Sequence, residues 1–77
     1  MVSAYCLIST EPGKTDEVFQ RVKSMQGVKK AECVVGPYDI VALVEVDSIE
    51  ELTKVAFTDI QNAAGVSDIV TLIVIEL

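Results

Sequence analysis

The sequence lacks several residue types on which common active sites depend. Among its 77 residues there is no histidine and no tryptophan, and there are only two cysteines, Cys6 and Cys33. Without histidine, neither a Ser-His-Asp nor a Cys-His nucleophilic set can form. Two cysteines far apart in the chain do not supply the ligands of a zinc site. We therefore expect no catalytic residues, no bound metal and no cofactor.

Basic residues are also scarce. The six lysines and arginines are outnumbered by twelve acidic residues, which gives a net charge of −6. Binding to a phosphate backbone needs clustered positive charge. The composition therefore predicts no direct contact with nucleic acid.

Targeting and membrane-spanning patterns are absent as well. The N-terminal residues show no basic region followed by a cleavage site. The longest largely apolar stretch, residues 69–75, is well short of the roughly 20 residues that span a bilayer. We expect a single cytoplasmic domain, residues 1–77, with no membrane contact and no DNA-binding domain.

The residues that are abundant are aliphatic, and they follow two repeated patterns. Strand-like stretches at residues 2–9 and 28–35 flank a helical pattern that begins at Thr15. Stretches at 40–46 and 66–76 flank a second helix, which the Ser48-x-x-Glu51 capping box opens. The second helix is predicted to bury one stripe of residues: Ile49, Leu52, Ala56, Phe57, Ile60 and Ala63. Gly27 and Gly65 are predicted to end the two helices, and both cysteines are predicted to be buried.

Two strand-helix-strand units of this length predict an α+β, ferredoxin-like βαββαβ fold. The four strands would form one antiparallel sheet in the order fourth, first, third, second, with both helices on one face. The central strands are nevertheless apolar on both faces: Val41 and Leu43 alternate with Ala42 and Val44. A sheet face of this kind needs a cover. We therefore predict a homodimer formed through the face opposite the helices.

One polar bend interrupts the aliphatic pattern, Gly36-Pro37-Tyr38-Asp39 between the second and third strands. Gly36 allows unusual backbone angles, and Pro37 favours a turn. Asp39 can accept hydrogen bonds from turn amides or from a cationic group of a ligand. Turn chemistry alone leaves two interpretations open, a tight hairpin capped by Asp39 or a ligand-binding loop.

Gly36-x-Tyr38-Asp39, followed by the apolar strand at Ile40-Val41, resembles the effector domain of the Lrp/AsnC transcription regulators, also called the RAM domain. Gly27-Val28, Asp47-Ser48 and Gly65-Val66 stand where that resemblance requires them, and it covers nearly the whole chain. It implies a stand-alone amino-acid-sensing module whose dimers assemble into rings, octamers among them, and which regulates amino-acid metabolism by ligand-dependent assembly. It also implies pairing with full-length Lrp/AsnC regulators.

The resemblance implies a ligand site as well. By position, Gly36, Pro37, Tyr38 and Asp39 would contact the amino and carboxylate groups of an amino-acid effector between dimers. Thr71, early in the last strand, would join them. Ile69 stands where the family often has a second hydroxyl residue.

Three alternatives remain at this stage. One is a small ferredoxin-like dimeric enzyme, such as a monooxygenase or isomerase, which the lack of histidine disfavours. Another is a purely structural assembly partner. The last is an ACT-type regulatory domain, whose glycine-rich loop after the first strand is poorly matched by Ser9-Thr10-Glu11-Pro12-Gly13.

Overall fold

The computed structural model describes all 77 residues. The elements in chain order are β1 (Val2–Thr10), α1 (Thr15–Lys23), β2 (Val28–Cys33), β3 (Ile40–Val46), α2 (Ile49–Thr53), a π-helical segment (Lys54–Ile60) that continues α2, and β4 (Val66–Ile73). The two predicted strand-helix-strand units are therefore present.

The four strands form one sheet in the order β2-β3-β1-β4. All three neighbouring pairs are antiparallel. The central pair is in register from Val2 opposite Val46 to Ile8 opposite Ile40. The ferredoxin-like fold and the predicted strand order are confirmed.

The core lies between one face of the sheet and the helices. Alternate residues in the two central strands are fully buried, namely Ala4, Cys6 and Ile8 in β1 and Ile40, Ala42 and Val44 in β3. Because these residues share one cluster with Val18 of α1 and Leu52 of α2, both helices cover the same face. The thirteen buried residues are all hydrophobic: Ala4, Cys6, Ile8, Val18, Val22, Ile40, Ala42, Val44, Val46, Leu52, Val55, Ala56 and Ile60.

The second helix buries a different stripe from the predicted one. Its start agrees with prediction, since the Ser48 hydroxyl accepts a hydrogen bond from the Glu51 N–H at 3.2 Å. From Lys54 onward, however, the chain forms a π-helix, whose hydrogen bonds span five residues instead of four. Val55 and Ile60 are five residues apart in sequence, and both are buried.

The predicted stripe contains two errors, and the π-helical phase explains the one at Phe57, whereas Ile49 is the first residue of α2 and precedes the π-helical segment. Leu52, Ala56 and Ile60 are buried as predicted, but Ile49 is 53% exposed and Phe57 is 52% exposed. The prediction assumed a uniform period of 3.6 residues. The wider turn rotates later side chains around the axis, so that Val55 takes an inward position.

One cysteine prediction was wrong. Cys6 is fully buried, but Cys33 is exposed. β2 is an edge strand, and it ends at Cys33 rather than at residue 35. A residue at the end of an edge strand has a neighbouring strand on one side only, so Cys33 remains open to solvent. Similarly, β4 ends at Ile73 rather than at residue 76.

Two glycines with positive φ lead into β2 and β4. Neither ends its helix as predicted, because the C-cap of α1 is Ser24 and that of the π-helical segment is Gln61. Gly27 has φ +94°. Gly65 (φ +96°) lies against α1, where an added Cβ would come within 2.8 Å of Val18 Cγ2. The turn before β4 therefore packs directly on the first turns of α1.

The face of the sheet opposite the helices is here called the open face. Its centre consists of two rows of residues that run across the four strands. The paired positions are Lys30, Leu43, Tyr5 and Leu72 in one row, and Glu32, Val41, Leu7 and Val70 in the other. Within these two rows, apolar side chains occupy β3, β1 and β4, and charged ones occupy the β2 edge. Further along the same face, Ser3 pairs with Glu45 and Ser9 pairs with Asp68. Tyr5 and Leu72 are 44% and 49% exposed, so no part of this chain covers this face.

Candidate functional site

The candidate site is the loop at residues 34–39 between β2 and β3. The N–H of Val34 donates a hydrogen bond to the carbonyl oxygen of Asp39 at 2.9 Å and closes the loop. Gly36 has φ +153°, which glycine adopts most readily. Pro37 is exposed, whereas Tyr38 and Asp39 are half-buried. The structure therefore places the four predicted residues together on one loop at the end of the sheet.

Asp39 is attached to the end of β1. Its backbone N–H donates to the carbonyl oxygen of Ile8 at 2.9 Å. Its carboxylate oxygen Oδ2 accepts hydrogen bonds from the Thr10 N–H at 2.8 Å and from the Thr10 hydroxyl at 3.1 Å. The side chain thus joins the loop to a neighbouring strand instead of capping its own turn. The other oxygen, Oδ1, has no hydrogen-bond partner within the chain.

A second hydroxyl extends this contact. The Thr15 hydroxyl lies 2.6 Å from the Thr10 hydroxyl. Thr15 is the first residue of α1, so the contact connects the hairpin loop to the start of a helix. Sequence reasoning missed both threonines. Nothing in the local pattern could have revealed them, because residues 10 and 39 are adjacent only through the register of β1 and β3.

Asp39 has no cationic partner. The four ion pairs of the chain are Lys14–Glu17, Lys29–Glu45, Lys30–Glu32 and Lys54–Asp59. None of them includes Asp39. A half-buried carboxylate is favourable when hydrogen bonds and a positive charge balance its desolvation. In Asp39 the chain supplies the hydrogen bonds but not the charge.

Ile69 and Thr71 lie on a different strand from the hairpin. Both side chains are on the helix-facing side of β4, opposite Ile8 and Cys6 in the register. Ile69 packs against the core, and the Thr71 hydroxyl lies 3.9 Å from Cys6 Sγ. Since β1 separates β4 from β3, the two residues are about 10 Å across the sheet from β3.

The Cys6 thiol beside Thr71 is in an apolar environment. Burial raises the pKa of Cys6 above its ordinary value, and the hydrogen bond with Thr71 offsets part of that increase. A raised thiol pKa keeps the sulfur protonated near neutral pH, which makes it a poor nucleophile. Cys6 therefore contributes packing rather than chemistry.

Three shallow depressions mark the surface, and none of them is lined by the loop residues 34–39. The largest, about 280 Å³, is lined by Met1, Ser3, Val74 and Glu76, at the opposite end of β1. The others are lined by Gln26, Gly27, Val46, Glu51, Lys54 and Val55, and by Tyr5, Lys30, Glu32, Val41 and Leu43. A small molecule beside Asp39 would therefore be held on an open surface by this chain alone.

The structure contains no group of three or more His, Cys, Asp or Glu residues placed to hold a metal ion. None of its helices has the length and apolar character needed to cross a membrane.

Several solved structures share this architecture. The structure of TTHA0845 from Thermus thermophilus superposes with a TM-score of 0.94 at 30% identity, covering 100% of this chain and 96% of that one. FFRP-DM1 gives a TM-score of 0.92 at 33% identity, with 97% and 100% covered. AsnC from E. coli gives 0.89 at 25% identity, and the match covers 99% of this chain but 52% of AsnC.

No curated protein sequence matched the chain. The family model described as the Lrp/AsnC ligand binding domain, in contrast, matches residues 3–77. This match extends over almost the whole chain and agrees with the observed fold. The chain therefore belongs to the Lrp/AsnC ligand-binding domain family.

Proposed function

We propose that this domain binds a free amino acid at the hairpin loop and acts as an amino-acid-sensing regulatory module. The observation that carries the proposal is the state of Asp39. Its Oδ2 is fixed by two hydrogen bonds from Thr10, its Oδ1 has no partner in the chain, and none of the ion pairs compensates its charge. The ammonium group of an amino acid supplies both the missing charge and the missing donor.

The rest of the loop suits the remainder of such a ligand. Tyr38 offers a hydroxyl without a partner in the chain, and Gly36 leaves its backbone open to close approach, since nothing lies within 4 Å of the position its Cβ would take. Thr71 and Ile69 would have to contribute from another chain or through a ligand that reaches across β1. Thr71 and Ile69 are therefore candidate ligand contacts only in an assembly or with a ligand of that length.

L-Methionine is the first ligand to test. NMB0573 from Neisseria meningitidis, 16% identical, was solved as an L-Met complex. The feast or famine regulatory protein Rv3291c from M. tuberculosis, 24% identical, was solved with L-methionine. At these identities the likeness itself extends to the fold only, so methionine enters here as a probe.

We also propose that the domain forms a homodimer through its open face. Tyr5, Leu7, Val41, Leu43, Val70 and Leu72 form one contiguous apolar surface across three strands. Soluble monomers rarely expose large apolar patches. A second copy covers the patch with a surface of the same kind, and a two-fold axis closes the assembly at two subunits.

Ligand binding and assembly are coupled in this proposal. The hairpin site is open in one chain, so that a second subunit would complete it, and dimers would join into rings such as octamers. A ligand that binds only the completed site shifts the assembly toward that state by its difference in affinity. The module would then influence full-length Lrp/AsnC regulators through mixed assemblies and not through DNA contact of its own.

The test is the effect of amino acids on thermal stability in wild type, Asp39→Asn and Asp47→Asn. Asparagine at position 39 keeps a side-chain oxygen for Thr10 but removes the negative charge. Asp47 is an exposed residue just beyond the opposite end of β3 and serves as the matched control. We expect L-methionine or another of the twenty amino acids to raise the melting temperature of wild type and Asp47→Asn at millimolar concentration, and not that of Asp39→Asn.

Two results would refute the proposal. One is a wild-type melting temperature that no amino acid changes. The other is an undiminished shift in Asp39→Asn, which would place the ligand elsewhere. Native mass spectrometry on the same samples reports whether the ligand changes the number of subunits.

A further inference from the structure

The direction of the hydrogen bonds around Asp39 follows from counting protons. A carboxylate at neutral pH only accepts, so the Thr10 hydroxyl uses its single proton to donate to Asp39 Oδ2. The Thr10 hydroxyl can therefore only accept in its 2.6 Å contact with Thr15. The Thr15 hydroxyl donates to Thr10, and the Thr10 hydroxyl donates to Asp39. We call this chain of two hydroxyls the threonine relay.

The relay lies where the turns before α1 and β4 are joined by hydrogen bonding and close packing. Thr15 begins α1, and the preceding turn is attached to the turn before β4, because the N–H of Glu11 donates to the carbonyl oxygen of Gly65 at 2.8 Å. Gly65 itself lies against Val18 and Lys14, with no room for a side chain. The β-ladder between β1 and β4 shifts its register between Ser9 and Thr10. Such irregularities redirect side chains, and this one occurs where Thr10 turns to Asp39.

From this geometry we infer that Thr10 and Thr15 are positioning residues, which hold Asp39 Oδ2 so that Oδ1 faces the amino group of the ligand. The inference rests on the proposed function and extends it from the loop to β1 and α1. Hydroxyls in series polarise one another, so each donor strengthens the next. Loss of Thr15 acts on Asp39 only through Thr10, and its effect is therefore the smaller one.

The experiment compares Thr10→Val, Thr10→Ser, Thr15→Val and Thr15→Ser with wild type. Valine keeps the shape of threonine without the hydroxyl, and serine keeps the hydroxyl. Thr53→Val is the matched control, since its exposed hydroxyl donates only to the Ile49 carbonyl within α2. The probes are L-methionine and N-acetyl-L-methionine, which lacks the ammonium group. If methionine does not bind, the amino acid with the largest thermal shift and its N-acetyl derivative replace them.

We expect Thr10→Val to weaken binding of the amino acid on the order of tenfold, as for a lost hydrogen bond to a charged group. The preference for the free over the N-acetylated form should fall by the same factor. Thr15→Val should show a smaller loss of both affinity and preference. Thr10→Ser and Thr15→Ser should bind nearly as wild type does, and Thr53→Val should match wild type. A purely structural role would lower stability but leave the preference for the free amino group unchanged.

A ligand-free measurement tests the relay itself. In ¹⁵N–¹H spectra, the Thr10 amide signal reports its hydrogen bond to Asp39, and we expect Thr15→Val to move it while Thr53→Val does not. An unmoved signal in Thr15→Val overturns the inference. If wild type binds the amino acid, an undiminished preference of Thr10→Val for the free amino acid also overturns the inference. A wild-type chain that binds no amino acid refutes the proposed function, and the positioning role with it.

Discussion

The two faces of the sheet contain similar apolar residues but differ in whether the helices cover them. On the helix face, Ile8 and Val44 are completely buried by the two helices. On the open face, their sequence neighbours Leu7 and Leu43 are similarly apolar, but no part of the chain covers them. The contrast teaches that hydrophobic composition alone does not indicate which residues stabilise a single chain. Residues on the helix face stabilise the monomer, whereas those on the open face would add stability only in the proposed homodimer.

The largest expected effect is the loss of stability when a buried residue on the helix face is truncated. Ile8→Ala should lower the free energy of unfolding by roughly 2–5 kcal/mol, because it removes buried methyl groups and leaves a cavity. Leu7→Ala, one residue away on the open face, should lower the free energy of unfolding clearly less when the protein is dilute enough to be monomeric. Urea unfolding measures both.

If Ile8→Ala fails to fold, Ile8→Val replaces it, with an expected loss of about 0.5–1.5 kcal/mol. Equal losses for the two positions in the monomer would show that the faces do not differ as described.

The next effect concerns association. Leu72→Glu places a charge within the open face, where an interface would bury it without a partner. We expect this variant to sediment as a folded monomer at micromolar concentration, whereas wild type sediments as a dimer or larger. Ile49→Glu is the control, because Ile49 is 53% exposed and Leu72 is 49% exposed, but Ile49 lies on α2.

A monomeric wild-type protein would rule out the dimer altogether. A Leu72→Glu variant that associates as strongly as wild type would locate the interface on another surface.

A smaller effect is expected from pH. The pKa of Cys6 is raised above its ordinary value of 9.0 by burial on the helix face. Because the folded state binds this proton more tightly, the stability linked to Cys6 is complete below pH 9.0 and is lost as pH rises through the raised pKa.

The pH effect is measured as the change in unfolding free energy between about pH 8 and about pH 10. Wild type and Cys33→Ala should both lose more stability over this interval than Cys6→Ala, since Cys33 is exposed. If Cys6→Ala lost as much as wild type, the thiol would not be the group responsible.

The smallest effect is expected at the polar edge of the open face. Lys30 and Glu32 form an ion pair at 3.6 Å, with side chains that are 64% and 62% exposed. Exposed pairs contribute about 0–1 kcal/mol, so Lys30→Gln should change the unfolding free energy of the monomer by less than that. Denaturation at low and high salt would check it, and a larger, salt-independent loss would indicate that Lys30 contributes packing.

Much of the fold could be predicted because it depends on local patterns. Apolar stretches rich in strand-forming residues located all four strands, Ser48-x-x-Glu51 marked the start of the second helix, and the element order implied the strand order. The errors occurred where local rules stop applying. Phe57 was wrongly predicted to be buried because a 3.6-residue period does not describe a π-helical turn. Cys33 was wrongly predicted to be buried because its position at the sheet edge depends on how the strands assemble.

In the candidate site, too, local relations could be predicted from the sequence and long-range ones could not. Gly36, Pro37, Tyr38 and Asp39 were identified from turn chemistry and family resemblance, because they are consecutive in the chain. Thr10 and Thr15 could not be identified in that way, because their relation to Asp39 arises only when β1 pairs with β3.

By itself, the amino-acid sequence determined the α+β architecture, the apolar character of both sheet faces and the polar loop between β2 and β3. Each of these depends on residues close together in the chain, where side-chain period and turn preference act directly. Only the tertiary structure decided that the Asp39 carboxylate is held by Thr10, that its charge has no cationic partner, and that α2 turns into a π-helix. Those outcomes depend on strand register and helix packing, which are settled when distant segments compete to bury the same core.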